Sequence, residues 1–161
     1  MSGGSALAAR FGLRRAVPGD RAALEALQRA AYAKNRPLLG VEPLPLLADY
    51  GEIMQTMEVW CVGDGSRLAG ALILERRPDD LLIWSIATDP AEPASGLGRR
   101  LLAAAEARAA ELGRTTVRLY TGTPLKHLVA WYGRHGYSIE RVEQMPDRSI
   151  THMLKQVGPL V

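Results

Sequence analysis

The sequence predicts a single mixed α/β domain, and three observations predict it. Three apolar, β-forming runs follow one another at 58–62, 68–75 and 81–88, joined by short polar turns, which reads as an antiparallel meander. The third run passes through a glycine-bearing loop into a long Ala/Leu/Arg/Glu helix, all within Leu81–Leu112. A β-branched run, Thr115–Thr121, follows that helix, and a helical crossover sets it parallel to the strand before the loop. The expected order is β-α-α-β-β-β-α-β-α-β-β.

Bulk properties agree with a soluble domain. The chain has 161 residues, enough for one real core. Residues 1–10 are expected to form a flexible tail and 11–157 the domain. The net charge of +3, from 20 basic and 17 acidic residues, is too mild to argue for nucleic acid; it is compatible with a small anionic ligand, though a solvated mixed surface accounts for most of it. The lone cysteine, Cys61, excludes an intramolecular disulfide and gives no metal-site pattern, so no metal is expected. It reads as a small buried hydrophobe. No apolar run approaches the ~18 residues of a membrane span. The opening MSGGSALAAR lacks the apolar core of a signal peptide, so a cytoplasmic location is the default expectation.

Phe11–Arg15 is a short strand. Pro18-Gly19-Asp20 breaks it and offers Asp20 as the N-cap of a helix over Arg21–Tyr32, with Leu24, Leu27 and Ala31 at helical spacing. Residues 33–45, with their prolines, form an irregular connection. A second helix is predicted over Leu46–Met57, with Leu47, Tyr50, Ile53, Met54 and Met57 on one face. The turns of the meander are Gly63–Ser66 and Pro78–Asp80. The helix after the loop starts near Gly98 and ends before Gly113, a residue suited to a helix C′ position. A further helix spans Leu125–His135. Strands Tyr137–Glu143 and Ser149–Lys155 close the chain around Met145-Pro146-Asp147.

The loop Pro93-Ala94-Ser95-Gly96-Leu97-Gly98 carries the chemistry. Its glycines allow close backbone approach, and residues Ala94–Arg99 can offer successive amides to a phosphate at a helix N-terminus. Alone, a G-x-G before a helix is a weak signal. The dinucleotide fingerprint is absent, since Leu101 stands at its third glycine, and so is the Walker pattern.

The surroundings add specificity. Thr88 and Pro90 precede the loop, Gly96 and Gly98 lie within it, paired leucines open the helix, and Tyr132, Arg134, Gly136 and Tyr137 follow downstream. In this combination the chain, over roughly Leu13–Lys155, resembles the GNAT superfamily of acyl-CoA-dependent N-acyltransferases. That family has a strand ending V-x-P, then Q/R-x-x-G-x-G/A, and later a helix tyrosine, a basic residue and G-[FY]. Lys155 resembles its closing M-x-K. Pro93 replaces the Gln or Arg, Ala94 stands where a first glycine is common, and Leu125 stands where an Asn is often found. The grip on phosphate should then be concentrated on Ser95–Arg99.

The resemblance implies a central, mostly antiparallel sheet with a splayed parallel strand pair and about four flanking helices. It implies direct acetyl transfer from acetyl-CoA to the primary amine of a small molecule. Acetyl-CoA would be held by Ile86, Ala87, Thr88, Ala94, Ser95, Gly96, Leu97, Gly98, Arg99 and Tyr132. Tyr132 stands at the family's general acid, which protonates the leaving sulfur. The base is open among Glu75, His127 and a water chain. The acceptor site falls to the two N-terminal helices, the 33–45 connection and the last hairpin, with Arg36, Glu42, Asp49, Tyr50 and Glu52 as polar groups. That hairpin also offers an edge for a homodimer. Two other classes fit the sequence: a non-catalytic acyl-CoA-binding sensor, and an interaction domain that has lost CoA binding.

Overall fold

The computed structural model of the chain describes residues 5–91 and 95–158. In chain order the elements are α1 (Ala6–Ala9), β1 (Arg14–Arg15), α2 (Arg21–Tyr32), α3 (Arg36–Leu39), α4 (Tyr50–Thr56), β2 (Glu58–Asp64), β3 (Arg67–Arg76), β4 (Leu81–Thr88), α5 (Leu97–Glu111), β5 (Thr116–Gly122), α6 (Lys126–Arg134), β6 (Ser138–Gln144) and β7 (Ser149–Gln156). Single 3₁₀ turns lie at Pro18–Asp20, Ala33–Asn35 and Leu44–Leu46.

The strands form one seven-stranded sheet in the order β1-β2-β3-β4-β5-β7-β6. Every pair is antiparallel except β4–β5, which the α5 crossover makes parallel. The run Leu68–Leu74 is apolar throughout because β3 is covered on both faces. One face, with Leu72, Leu74, Leu81 and Ile83, packs on α5 and on α1 beyond it. The other, with Ala71, Ile73 and Ala87, packs on Leu24 and Leu27 of α2 and Ile53 of α4. The predicted layer structure, meander, parallel pair and four main helices are all present. Among the described residues, no helix is long and apolar enough to cross a membrane.

Three local expectations are corrected. Ala6–Ala9, expected in a flexible tail, form a helical turn that buries Leu7 against α5. Glu111 fastens it by accepting from Ser5 Oγ at 2.8 Å and from the Ala6 amide. Asp20 does not cap α2 with its side chain. It accepts instead from the Arg14 guanidinium at 2.8 and 2.9 Å and from the Val17 amide at 2.7 Å, pinning the turn before the helix. The second helix begins at Tyr50, not Leu46, because the Asp49 carboxylate caps it through the amides of Gly51 and Glu52.

Two buried carboxylates hold the layers together. Glu58 takes two bonds from Arg108 of α5, at 2.9 and 2.8 Å, and one from Trp60 Nε1 at 3.0 Å. Burial pushes its pKa up, but these donors outweigh burial and hold it below the usual carboxylate value. Asp80 binds Arg77 within its own turn and Arg118 of β5, so the β3–β4 turn is tied to the parallel partner strand.

Candidate active site

β4 and β5 pair for only three residues, from Leu81↔Val117 to Ile83↔Leu119. Beyond Ile83, β4 keeps β3 as far as Thr88, and β5 keeps β7 as far as Gly122. The sheet therefore opens between two strands that each stay anchored on the far side. A bulge marks the point of divergence. Ile73 faces Ser85 and Leu74 faces Ile83, which leaves Trp84 as the extra residue of β4. The bulge also switches faces: Leu81 and Ile83 point toward α5 before it, and Ile86 does so after it. Ser85 is thereby turned toward α2.

A cavity of about 440 Å³ fills the opening, a size suited to a small ligand. At one end lies the start of α5. Gly96 sits at its N-cap with φ 75°, a left-handed conformation that favours glycine, and no side chain among the described residues caps the helix. The amides of the first turn are thus left to an anion, with the helix dipole behind them. A Cβ on Gly98 would meet nothing nearer than Trp131 at 4.0 Å, so space stands open at the helix end. Gly70 of β3 permits this placement, because a Cβ there would lie 2.9 Å from Leu97 Cδ2. Arg134 and His127 of α6 also line the cavity.

Tyr132 of α6 lines the cavity, its ring set edge-on to Trp131 at 5.0 Å and Tyr137 at 5.9 Å. Its hydroxyl bonds to no described residue. Burial, with Tyr32 nearby, holds its pKa well above the usual phenol value, so it is protonated at neutral pH. Tyr32 closes the other side from α2. Its hydroxyl lies 2.8 Å from Ser85 Oγ and 3.4 Å from the Ile86 carbonyl. Burial raises its pKa to about 12 against the opposing Ser85 bond. Gln28 completes the network by donating to Ser85 Oγ at 3.1 Å and to Tyr50 Oη at 2.8 Å.

Of the predicted ligand-binding residues, Ile86, Ala87, Thr88, Gly98 and Tyr132 line this one cavity. Ser95, Gly96, Leu97 and Arg99 sit on the loop and first turn of α5 beside it, outside the lining itself. Ala94 and the departure at Pro93 lie outside the described residues.

The acceptor side differs from expectation. Arg36 and Glu42 pair with each other at 2.6 Å, Asp49 caps α4, Glu52 is exposed, and Tyr50 donates to the Pro45 carbonyl at 2.6 Å. None of these five lines the cavity, and neither does Glu75, which pairs opposite Leu82. Residues that sequence reasoning missed stand there instead: Tyr32, Asn35, Trp84, Ser85, Tyr120 and Arg148. Ser85 did carry a signal, as the one hydroxyl inside Leu81–Ala87. Tyr32 and Asn35 become neighbours of it only through the packing of α2.

Known proteins bear on this geometry. Residues 22–137 match the Acetyltransferase (GNAT) family. A curated relative from Bacillus subtilis (strain 168), the uncharacterized N-acetyltransferase YvbK, is 28% identical over 107 residues, covering 66% of this chain and 68% of that protein. The fold is similar to the ribosomal-protein-S18-alanine N-acetyltransferase of Escherichia coli, with TM-score 0.73 and 16% identity over 92% of this chain and 95% of that one. It is also similar to a GNAT family acetyltransferase from Elizabethkingia anophelis with acetyl-CoA bound, with TM-score 0.66 and 12% identity over 89% and 96% of the two chains. The family match, over well more than half of the chain, makes the opened sheet and the helix start beside it the scaffold of an acetyltransferase. The chain belongs to the GNAT acetyltransferase family.

Proposed function

We propose that the protein transfers the acetyl group of acetyl-CoA directly to the primary amine of a small molecule. The observation that carries this reading is the single cavity running from the uncapped start of α5, through the β4–β5 gap, to the pocket under Asn35 and Trp84. The residues present suit acetyl-CoA. The amides of Leu97, Gly98 and Arg99, with Arg134, would hold the pyrophosphate, and the free edge of β4 from Ile86 to Thr88 would align the pantetheine arm. The cosubstrate supplies an activated thioester.

In this reading Tyr132 gives its hydroxyl proton to the leaving sulfur as the C–S bond breaks and the amine nitrogen forms its bond to the acyl carbon; its position in the cavity wall and its hydroxyl, free of described partners, support that role. The nitrogen gives up its own proton to water or His127, and solvent returns a proton to the Tyr132 phenolate. No described residue lining the cavity is Asp or Glu, so the amine arrives neutral or passes its proton to solvent or to His127, the one base candidate from the sequence that lines the cavity. The exposed β6 edge, with Ile139 and Val142 on it, supports the homodimer expected from sequence, which sedimentation tests.

The test has two parts. Excess acetyl-CoA raises the melting temperature, by about 2.7 kcal/mol of added stability at a hundred times its Kd. Free thiol then appears with at least one primary amine. Stabilisation without thiol release on any amine would assign the protein to the non-catalytic sensors. No stabilisation at all would remove the CoA reading.

A further inference from the structure

We infer that the acceptor is a monoamine bearing a carboxylate on an apolar body, that is, an amino acid of the hydrophobic or aromatic class. This deepens the acetyltransferase reading and rests on it. Leu39, Pro43, Pro45, Trp84, Tyr120 and Ile150 line the cavity, which suits an apolar side chain. Its charges are of one sign. Lys34 and Arg148 line the cavity, and no lining residue among those described is acidic. A polyamine would leave its positive charges unmatched there and facing two cations. A plain apolar amine would leave the cations without an anion. A carboxylate answers both.

Arg148 is built into the wall. Its side chain is 9% exposed. It donates from Nε and Nη2 to the exposed Asp147 carboxylate, at 3.1 and 3.0 Å, and from Nη1 to the Glu42 carbonyl at 2.9 Å. Five N–H groups less these three bonds leave two without a partner among the described residues. Asp147 offsets part of its charge, whereas Lys34 makes no ion pair with any described residue.

Asn35 gives the second, independent sign. It is 4% exposed, it lines the cavity, and its carboxamide hydrogen-bonds to no described residue, with Oδ1 buried and unpartnered. A buried amide without partners destabilises a fold, so its presence in a pocket wall points to a partner that arrives with the ligand. Rotation of the carboxamide by half a turn exchanges O and N at nearly constant shape, so it can meet either the amino or the carboxylate end of such a head group.

The experiment follows thiol release from acetyl-CoA with matched pairs: leucine against isoamylamine, phenylalanine against phenethylamine, tryptophan against tryptamine, and spermidine as the polycation. At least one amino acid is expected to exceed its decarboxylated partner by about 10- to 100-fold in kcat/KM, the scale of a charge-assisted contact. Arg148→Ala and Lys34→Ala should each pull that ratio toward one. Asn35→Leu should raise KM for the amino acid while holding or raising the melting temperature of the free protein; a lower melting temperature would make Asn35 structural and overturn its part. Preference for a decarboxylated amine or spermidine, or no turnover of any amino acid while acetyl-CoA still stabilises the protein, overturns the acceptor assignment alone. Loss of the acetyl-CoA shift itself would instead overturn the transferase reading.

Discussion

At the scale of single residues, Tyr132 makes the sharpest claim. Tyr132→Phe keeps the ring that packs on Trp131 and Tyr137 and removes only a hydroxyl that bonds to nothing described. Turnover should fall by about 10²-fold while the acetyl-CoA thermal shift is retained. The pH profile carries the same signature. An acid must stay protonated to work, and burial sets this phenol above its ordinary value of 10.0, so any falling limb lies above pH 10. On the other side, with water as the acceptor of the amine proton and no described lining carboxylate to take it, kcat/KM should climb about tenfold per pH unit toward the pKa of the amine, whereas His127 as base would level the profile. A plateau near neutral pH would show that a side chain serves as base. Tyr132 was legible in the sequence because it sits in a fixed local pattern with Arg134, Gly136 and Tyr137. Asn35 and Arg148 were not, since they lie 113 positions apart and meet only through the cavity.

Among elements, α5 and its approach decide how phosphate is held. Gly98→Ala adds a methyl that the protein itself has room for, and alanine is the better helix former by about 1 kcal/mol. The free protein should therefore melt at the same temperature or higher, while acetyl-CoA affinity drops by about tenfold as the methyl fills the ligand's space. Titration calorimetry on both proteins checks this, and unchanged affinity would move the phosphate elsewhere. Gly96→Ala should behave differently, lowering stability by about 1 kcal/mol through its φ of 75°. Element boundaries at β4 and α2 were readable to the residue, since periodicity and flanking breakers agree there. The start of α4 was not, because Leu46 and Leu47 continue the apolar pattern while the Asp49 cap sets the true beginning.

For the whole molecule, three buried carboxylates set the acid limit. The Arg14 bonds hold Asp20 below its ordinary value, the Arg77 and Arg118 bonds hold Asp80 below its own, and Glu58 is lowered despite burial. A carboxylate depressed in the folded state adds stability above its unfolded value and loses it as pH falls through the folded one. The melting temperature should thus be flat through neutral pH and begin to fall below the ordinary values of 4.5 and 3.8. Asp80→Asn should cost about 2 kcal/mol at pH 7 and shrink the acid-dependent drop. A drop of unchanged size would place the titrating group elsewhere. The layered architecture was legible because β3 and β4 are apolar on both faces and need cover on both. The opening between β4 and β5 was expected only by resemblance, since no local pattern shows where two strands stop pairing.

The extra residue at Trp84 leaves the two halves of β4 out of phase. Odd positions face α5 before it and even positions after it. A sequence without that insertion can be matched to this one only with its gap at Trp84. A gap displaced past Ile86 would trade the gap wall for the strand's opposite side. Site positions carried over from any relative should therefore be counted backward from Thr88 for the ligand-facing half, and forward from Leu81 for the packed half.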